Sequence, residues 1–241
     1  MSLTTVAGMQ SEIFVPITPK PVFTELKKPL SECKVAFITA GGIHIKSQVP
    51  FNTSGDFSYR TIPFDTPSDE LMVTHGGFDN SDINKDVNAM FPIDRLHELV
   101  EEGFIGSLPE ETYTFMGGGG NVEKFKNETG PEIAKKLKAQ GVDVVLCTGG
   151  CGTCHRSATI VTRCCEAEGM SCVVIAALPP IAKQQGAPRI TAPHVPIGSN
   201  AGEPNNIQQQ TAIIKESLEW VRDCPSYNAT KVLPYEYRHN V

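Results

Sequence analysis

Two kinds of hydrophobic pattern alternate along the second half of the chain. The runs VDVVLCTGG, ending at Gly150, and CVVIAAL, starting at Cys172, are continuously apolar and rich in β-branched residues, the pattern of strands covered on both faces. Segments with helical spacing lie around them. Pro131 opens EIAKKLKAQ and Gly141 closes it, GTCHRSATIVTRCCEAEGM fills the space between the two strands, and a short helix is expected around IAKQQG. Asn205 or Asn206 is placed to cap a last helix, IQQQTAIIKESLEWVRDC. Further upstream, Leu96, Leu99 and Val100 form a helical stripe in FPIDRLHELVEEGFIG, with Pro92 near its start and Gly103 at its end, and His97 on its outer side. Two more apolar runs read as strands, KVAFITAGG from Lys34 to Gly42 and LMVTH from Leu71 to His75. The alternation predicts an α/β fold: a doubly wound, parallel sheet with helices on both faces, joined by right-handed crossovers.

The remaining segments carry weaker signals. Residues 1–33 read as an extended, proline-containing arm, and residues 34–225 as the α/β region, either undivided or as two half-domains meeting near 105–130. The tail, 226–241, is expected to dock without forming an element of its own. VPFNTSGDFSYRTIPFDTPSDE has no helical period and many turn formers, which predicts a long irregular loop in the N-terminal half. APRITAPHVPIGSN reads as a proline-rich connection. The glycine run Gly117 to Gly120 lacks the Lys-Ser/Thr of a phosphate-binding loop and does not match the dinucleotide fingerprint.

Charge and composition narrow the function. The formal net charge of −6 argues against non-specific nucleic-acid binding, which uses a basic surface. No run of about 18 apolar residues is present to span a membrane, and the N-terminus has no basic region leading into an apolar core, so a cytoplasmic location is expected. Of the eight cysteines, six fall between Cys147 and Cys172. A chain of 241 residues builds a core without disulfide staples, so most of these side chains are expected as thiols. Cys147 and Cys172 lie within apolar runs and read as small buried hydrophobes; Cys164 and Cys165, far along the helix, read as structural.

Cys151-Gly152-Thr153-Cys154 is the candidate for chemistry. It lies where an apolar strand runs through Gly149 and Gly150 into a helix, so unpaired N–H groups and the positive end of the helix dipole favour an anion there. A thiolate is such an anion, and cysteine reactivity follows thiolate character. Four readings stay open: two buried structural thiols, a zinc half-site lacking a second close ligand pair, a disulfide exchanger, or a nucleophile (Cys151) with a resolving partner (Cys154). His155 and Arg156 adjoin the pair and would lower its pKa or hold an anionic substrate; a solvated helix face is the plainer reading of Arg156. Three loops, ITAGGIH, MVTHGG and LCTGGCGTC, follow predicted strand ends, where open α/β sheets bind ligands, so His44, His75 and Cys151 are candidates to share one cleft. Asp56, Arg60 and Asp79 lie on the same predicted loops, either to bind substrate or partner or to hold the loops together.

TGGCGTC resembles the selenocysteine-Gly-Thr-Cys element of the amino-acid reductases that act on glycine, sarcosine, betaine or proline, the selenoprotein B family. GGIHIKSQVPFNTSGDFSYRTIP resembles that family's N-terminal block, and THGGFDNSDINKDVNAMFPIDRLHELVEEGFIG its central block; together they cover most of residues 34–165. The opening MSLTTVAGMQSEIFVPITP and the mass of 26.1 kDa resemble its proline-specific branch. The resemblance implies selenocysteine at position 151, which here is cysteine, and no cofactor or metal bound by this chain. It further implies a partner subunit whose pyruvoyl group activates the substrate nitrogen. Position 151 would attack the α-carbon, Cys154 would close a bond to it and release 5-aminovalerate, and a dithiol or protein electron donor would reset the pair.

Overall fold

The computed structural model describes residues 21–117 and 122–238. The chain enters through an extended stretch and a single 3-10 turn, Leu30–Glu32, before β1 (Val35–Thr39). Next come β2 (Ile43–Ile45), β3 (Tyr59–Pro63), β4 (Leu71–Val73), α1 (Ser81–Lys85), α2 (Ile93–Glu101) and β5 (Glu111–Phe115). After α3 (Val122–Lys124) and a π-helical turn, Phe125–Thr129, the chain continues through α4 (Gly130–Ala139), β6 (Val144–Thr148) and α5 (Gly152–Ala167). It ends with β7 (Ser171–Ile175), α6 (Pro179–Gln184), β8 (Arg189–His194), α7 (Ile207–Asp223) and β9 (Ala229–Glu236).

Seven strands form one sheet in the order β3-β5-β1-β6-β7-β8-β9, parallel throughout except for β3, which pairs antiparallel with β5. A separate two-stranded ribbon pairs β2 with β4. Alternate residues of the central strands feed two cores. Val35, Phe37, Leu146 and Val173 pack with Leu96, Leu99, Ile213 and Leu218 of α2 and α7. Ala36, Ile38, Val145 and Cys147 pack with Ile133, Leu137, Ala158 and Val161 of α4 and α5 on the opposite face. The fold is therefore doubly wound α/β. Each fully buried side chain of this size contributes roughly 1.5–3 kcal/mol, which makes the sheet a stiff platform for the loops at its strand ends.

Five strands, β2, β3, β5, β8 and β9, lie where sequence patterning predicts none. His44 sits within β2 rather than in a loop. The predicted irregular loop contains β3, an edge strand with one fully buried residue, Ile62, which leaves little apolar alternation to read. The proline-rich connection contains β8; its register with β9 shifts between Ala192 and His194, around Pro193, and such a bulge is where an interior strand tolerates proline. The tail forms β9 instead of merely docking. It is the other sheet edge, and Leu233 alone of its residues is fully buried. Elsewhere, Asn206 caps α7 by accepting from the Gln209 N–H at 3.1 Å. Most of the four-glycine run, Gly118 to Gly120, lies outside the described residues, as do residues 1–20 of the N-terminal arm and 239–241 of the tail.

The parallel strands reverse direction of winding between β1 and β6. β1 connects onward to β5 on one side, whereas β6 to β9 build outward on the other. Open sheets of this kind bind ligands in the crevice outside the carboxyl ends of the strands at such a switch point. Cys151 stands there, three residues past the end of β6.

Candidate active site

Cys151 is the N-cap of α5, in extended conformation (φ −112°, ψ −172°). Gly149 and Gly150 lead into the helix close beside other groups: a Cβ on Gly150 would lie 2.3 Å from the Phe78 ring, and one on Gly149 2.8 Å from the His155 backbone. Cys154 lies one turn on, bringing the two Sγ atoms to 2.8 Å. Cys151 is partly exposed, whereas Cys154 is fully buried. Thr153 Oγ1 is 3.0 Å from Cys151 Sγ.

His75, from the loop after β4, completes the arrangement. Its Nε2 is 2.9 Å from Cys154 Sγ. The Gly77 N–H donates to His75 Nδ1 at 2.8 Å, so a neutral ring carries its proton on Nε2 and donates to Cys154. Asn80 Nδ2 donates to the His75 carbonyl, and the Phe78 ring packs 4.5 Å from the imidazole.

These contacts separate the two thiols electrostatically. The hydrogen bond with Cys154 is the largest cause holding the Cys151 thiol down, to about 3; His75 and Thr153 add to it, against the opposing effect of burial. Burial, and then the neighbouring Cys151 thiolate, push Cys154 well above the ordinary thiol value. The pair therefore shares one proton: Cys154 S–H donates to the Cys151 thiolate while accepting from His75. Burial instead pushes Cys164 up to about 12 and Cys33 to about 11, and raises Cys147 and Cys172 as well.

Among the other sequence candidates, His155 is buried beneath the pair. Its Nδ1 bonds the Cys151 carbonyl at 2.7 Å and its Nε2 accepts from the Leu178 N–H at 3.1 Å, while burial lowers its pKa. Gly152 opens α5. Arg156 is buried and interacts with neighbouring groups, which removes the solvated-face reading. His44 does not join the pair: its ring is buried between the Ile45 carbonyl and Thr74 Oγ1, each at 2.8 Å. Arg60 donates to the carbonyls of Val49 and Pro50 and stacks on Phe51, while Asp56 accepts from Asn52 and Ser58; both close their own loop. Asp79 accepts from the Ser81 N–H and hydroxyl ahead of α1. Sequence reasoning missed Gly77, which sets the His75 tautomer, and Gly117, whose absent Cβ lets Cys154 approach: a methyl there would lie 2.7 Å from Cys154 Cα. The doubled glycine after His75 was the available signal for the first.

The zinc reading lacked a second close ligand pair; the structure brings one further donor, His75, to the two cysteines. His75, Cys151 and Cys154 offer donor atoms within 4.8 Å of one another. A ligating Nε2 must be free of its proton, and such rings usually donate from Nδ1 to an acceptor. Here a backbone N–H faces Nδ1, which favours the opposite tautomer and suits a hydrogen-bond donor better than a metal ligand. A cavity of about 620 Å³, lined by Lys46, Lys85, Asp86 and Arg95 among others, includes neither cysteine. No helix among the described residues is long and apolar enough to cross a membrane.

The sequence profile of the glycine/sarcosine/betaine reductase selenoprotein B family matches residues 7–150. The chain is 54% identical to the D-proline reductase subunit gamma of Acetoanaerobium sticklandii over 235 residues, 98% of this chain and 97% of that protein. It is 34% identical to the glycine reductase complex component B subunit gamma of Carboxydothermus hydrogenoformans over 81% of this chain. Against the sarcosine reductase complex component B subunit beta of Peptoclostridium acidaminophilum it is 31% identical, again over 81% of this chain. It spans about half the length of these last two proteins, 48% and 47%. No solved structure matches it. The chain belongs to the glycine/sarcosine/betaine reductase selenoprotein B family.

Proposed function

We propose that this chain is the D-proline reductase subunit that carries the redox nucleophile, cleaving the ring C–N bond to give 5-aminovalerate together with a pyruvoyl-containing partner subunit. The observation that carries the reading is the pair at the helix start: Cys151 partly exposed at the N-cap of α5, with Cys154 Sγ 2.8 Å from its sulfur. The near full-length similarity to a D-proline reductase subunit supports the choice of substrate.

Position 151, natively selenocysteine in this reading, attacks the α-carbon. The chalcogen–carbon bond forms, the electrons of the C–N bond pass to nitrogen, and nitrogen takes a proton from solvent. Cys154 then attacks the chalcogen. A disulfide or selenenyl sulfide forms, the chalcogen–carbon bond breaks, and the carbon gains the proton that Cys154 gives up. His75 Nε2–H stabilises Cys154 as it becomes a thiolate. Two electrons have moved from the pair to the substrate, and a dithiol or protein donor returns them. Thr153 steadies the anion at 151, and His155 fixes the carbonyl beneath it. Both nitrogens of His75 and of His155 are already engaged, which leaves activation of the substrate nitrogen to the partner. The pyruvoyl group of that partner supplies, when present, the electron sink that makes nitrogen a leaving group.

The test is product analysis with the purified complex and D-proline, glycine, sarcosine or betaine. Formation of 5-aminovalerate from D-proline, abolished by Cys151→Ser, is the expected result. Turnover of one of the other three substrates in its place overturns the assignment.

A further inference from the structure

Asn200 lies in the loop after β8 and is fully buried. Its Nδ2 donates to the Gly149 carbonyl at 3.0 Å and to the Ile175 carbonyl at 3.2 Å. One carbonyl belongs to the turn that delivers Cys151, the other ends β7. Flipping the amide would set its oxygen against both carbonyls, so the orientation is dictated by the network. Its Oδ1 is buried without a partner among the described residues. Burying an unpaired acceptor costs about 1–3 kcal/mol, so this side chain is a poor choice for stability alone. The residues on either side reach the segment that follows the His75 loop. Ser199 Oγ donates to Asp82 Oδ2 of α1 at 2.6 Å, and the Ala201 N–H donates to the Ala89 carbonyl at 2.8 Å. Gly198 lies against the His75 loop itself: a Cβ there would be 2.9 Å from the Asp79 carbonyl oxygen and 3.2 Å from the Phe78 ring.

We propose that Asn200 is a positioning residue: through Gly149 it holds the Cys151 turn at the spacing from the His75 loop that the Cys154 hydrogen bond needs. The proposal rests on Cys151 being the nucleophile described above. The residues 198–201 then act as a staple, with one arm on the cysteine turn and the other on α1, which starts six residues after His75. Substitution at Asn200 loosens the contacts that hold Cys151 as an anion, and the loss shows as a change in how its reactivity depends on pH. The titratable groups facing Cys151 are His75, Cys154 and His155.

The experiment measures iodoacetamide alkylation of Cys151 across pH by peptide mapping, in the reduced full chain and in Asn200→Ala and Asn200→Ser. In the unsubstituted chain the rate is flat from weakly acidic pH upward. In Asn200→Ala the midpoint rises by at least about one pH unit, so labelling below the parent midpoint slows about tenfold and recovers above the new one. Asn200→Ser keeps one donor and falls between. A merely structural defect would lower the melting temperature without moving this midpoint. Profiles that overlay the unsubstituted chain within about twofold overturn the role of Asn200, and Asn200→Ser decides if Asn200→Ala does not fold. An unsubstituted chain that itself lacks the acidic midpoint overturns the nucleophile reading and this proposal with it.

Discussion

His75 Nε2 lies 2.9 Å from Cys154 Sγ, joining the loop after β4 to the first turn of α5 across 79 residues of sequence. The donor to His75 Nδ1 is a backbone N–H, so the contact has a direction: Gly77 to His75 to Cys154 to Cys151. Each link supplies a hydrogen to the next, and the chain ends on the atom that does the chemistry. Removing His75 breaks it in the middle. His75→Ala is expected to lower turnover by roughly 10²-fold, the usual scale for a positioned proton-handling group, with the larger effect on the step that releases product. Accumulation of substrate bound covalently to position 151, seen by intact-protein mass spectrometry, checks this; a variant that loses turnover without that adduct contradicts it.

Thr153 supports the anion directly. Hydrogen bonds to charged groups contribute about 1.5–3 kcal/mol, equivalent to one to two pKa units. Thr153→Val is therefore expected to raise the alkylation midpoint of Cys151 by about that much while leaving the melting temperature close to that of the parent. An unchanged midpoint would show that the hydroxyl does not reach the thiolate.

Selenium at position 151 should give the faster enzyme, but not through ionisation. Cys154, Thr153 and His75 already hold a thiol there near 3 against an ordinary value of 9.0. Raising the pH from about 6 to about 9 is thus expected to leave the ratio between selenocysteine and cysteine forms unchanged. Turnover of both forms with a competent partner measures it. A gap that closes at alkaline pH would mean the sulfur is still protonated at neutrality.

Gly117→Ala probes the other side of Cys154. The added methyl would meet backbone 2.7 Å away rather than a flexible side chain, so the start of α5 must shift. The Cys151–Cys154 pair should then close its disulfide more slowly under a mild oxidant, followed by loss of free thiols. Closure at the parent rate would show that the helix start tolerates the shift.

At the far end of α5, Glu166 and Arg189 form an ion pair, 2.7 Å apart, with both side chains at or below 1% exposure. The Glu166 carboxylate also accepts from the Thr24 and Cys172 N–H groups, and Phe23 covers the guanidinium. Arg189→Met leaves a buried carboxylate uncompensated and is expected to cost about 3–5 kcal/mol in urea unfolding. A loss below about 1 kcal/mol would mean that water reaches the carboxylate.

The sequence made the central architecture readable because β1, β6 and β7 are buried on both faces and so continuously apolar. It hid β3 and β9 because edge strands need one buried face, and β8 because Pro193 reads as a breaker until the bulge beside it is seen. The same physics governs the site. Cys151 and Cys154 are neighbours in sequence, and the strand–turn–helix context around them is local. His75 is marked in the sequence by its place after a strand end, but its contact with Cys154 is tertiary; Asn200, which bonds the Gly149 carbonyl, carries no local signal that separates it from an ordinary polar loop residue. Of the three histidine and cysteine loops expected to converge, two do; His44 is absorbed by β2, where Thr74 and the Ile45 carbonyl occupy its ring.

The central claim is that position 151 carries the reactive anion. Limiting iodoacetamide added to the reduced chain near pH 6, followed by peptide mapping, measures this directly. Cys151 should label far ahead of every other cysteine, because Cys33 is held up to about 11 and Cys224 is also raised. Labelling of Cys151 no faster than Cys33 or Cys224 would contradict the account.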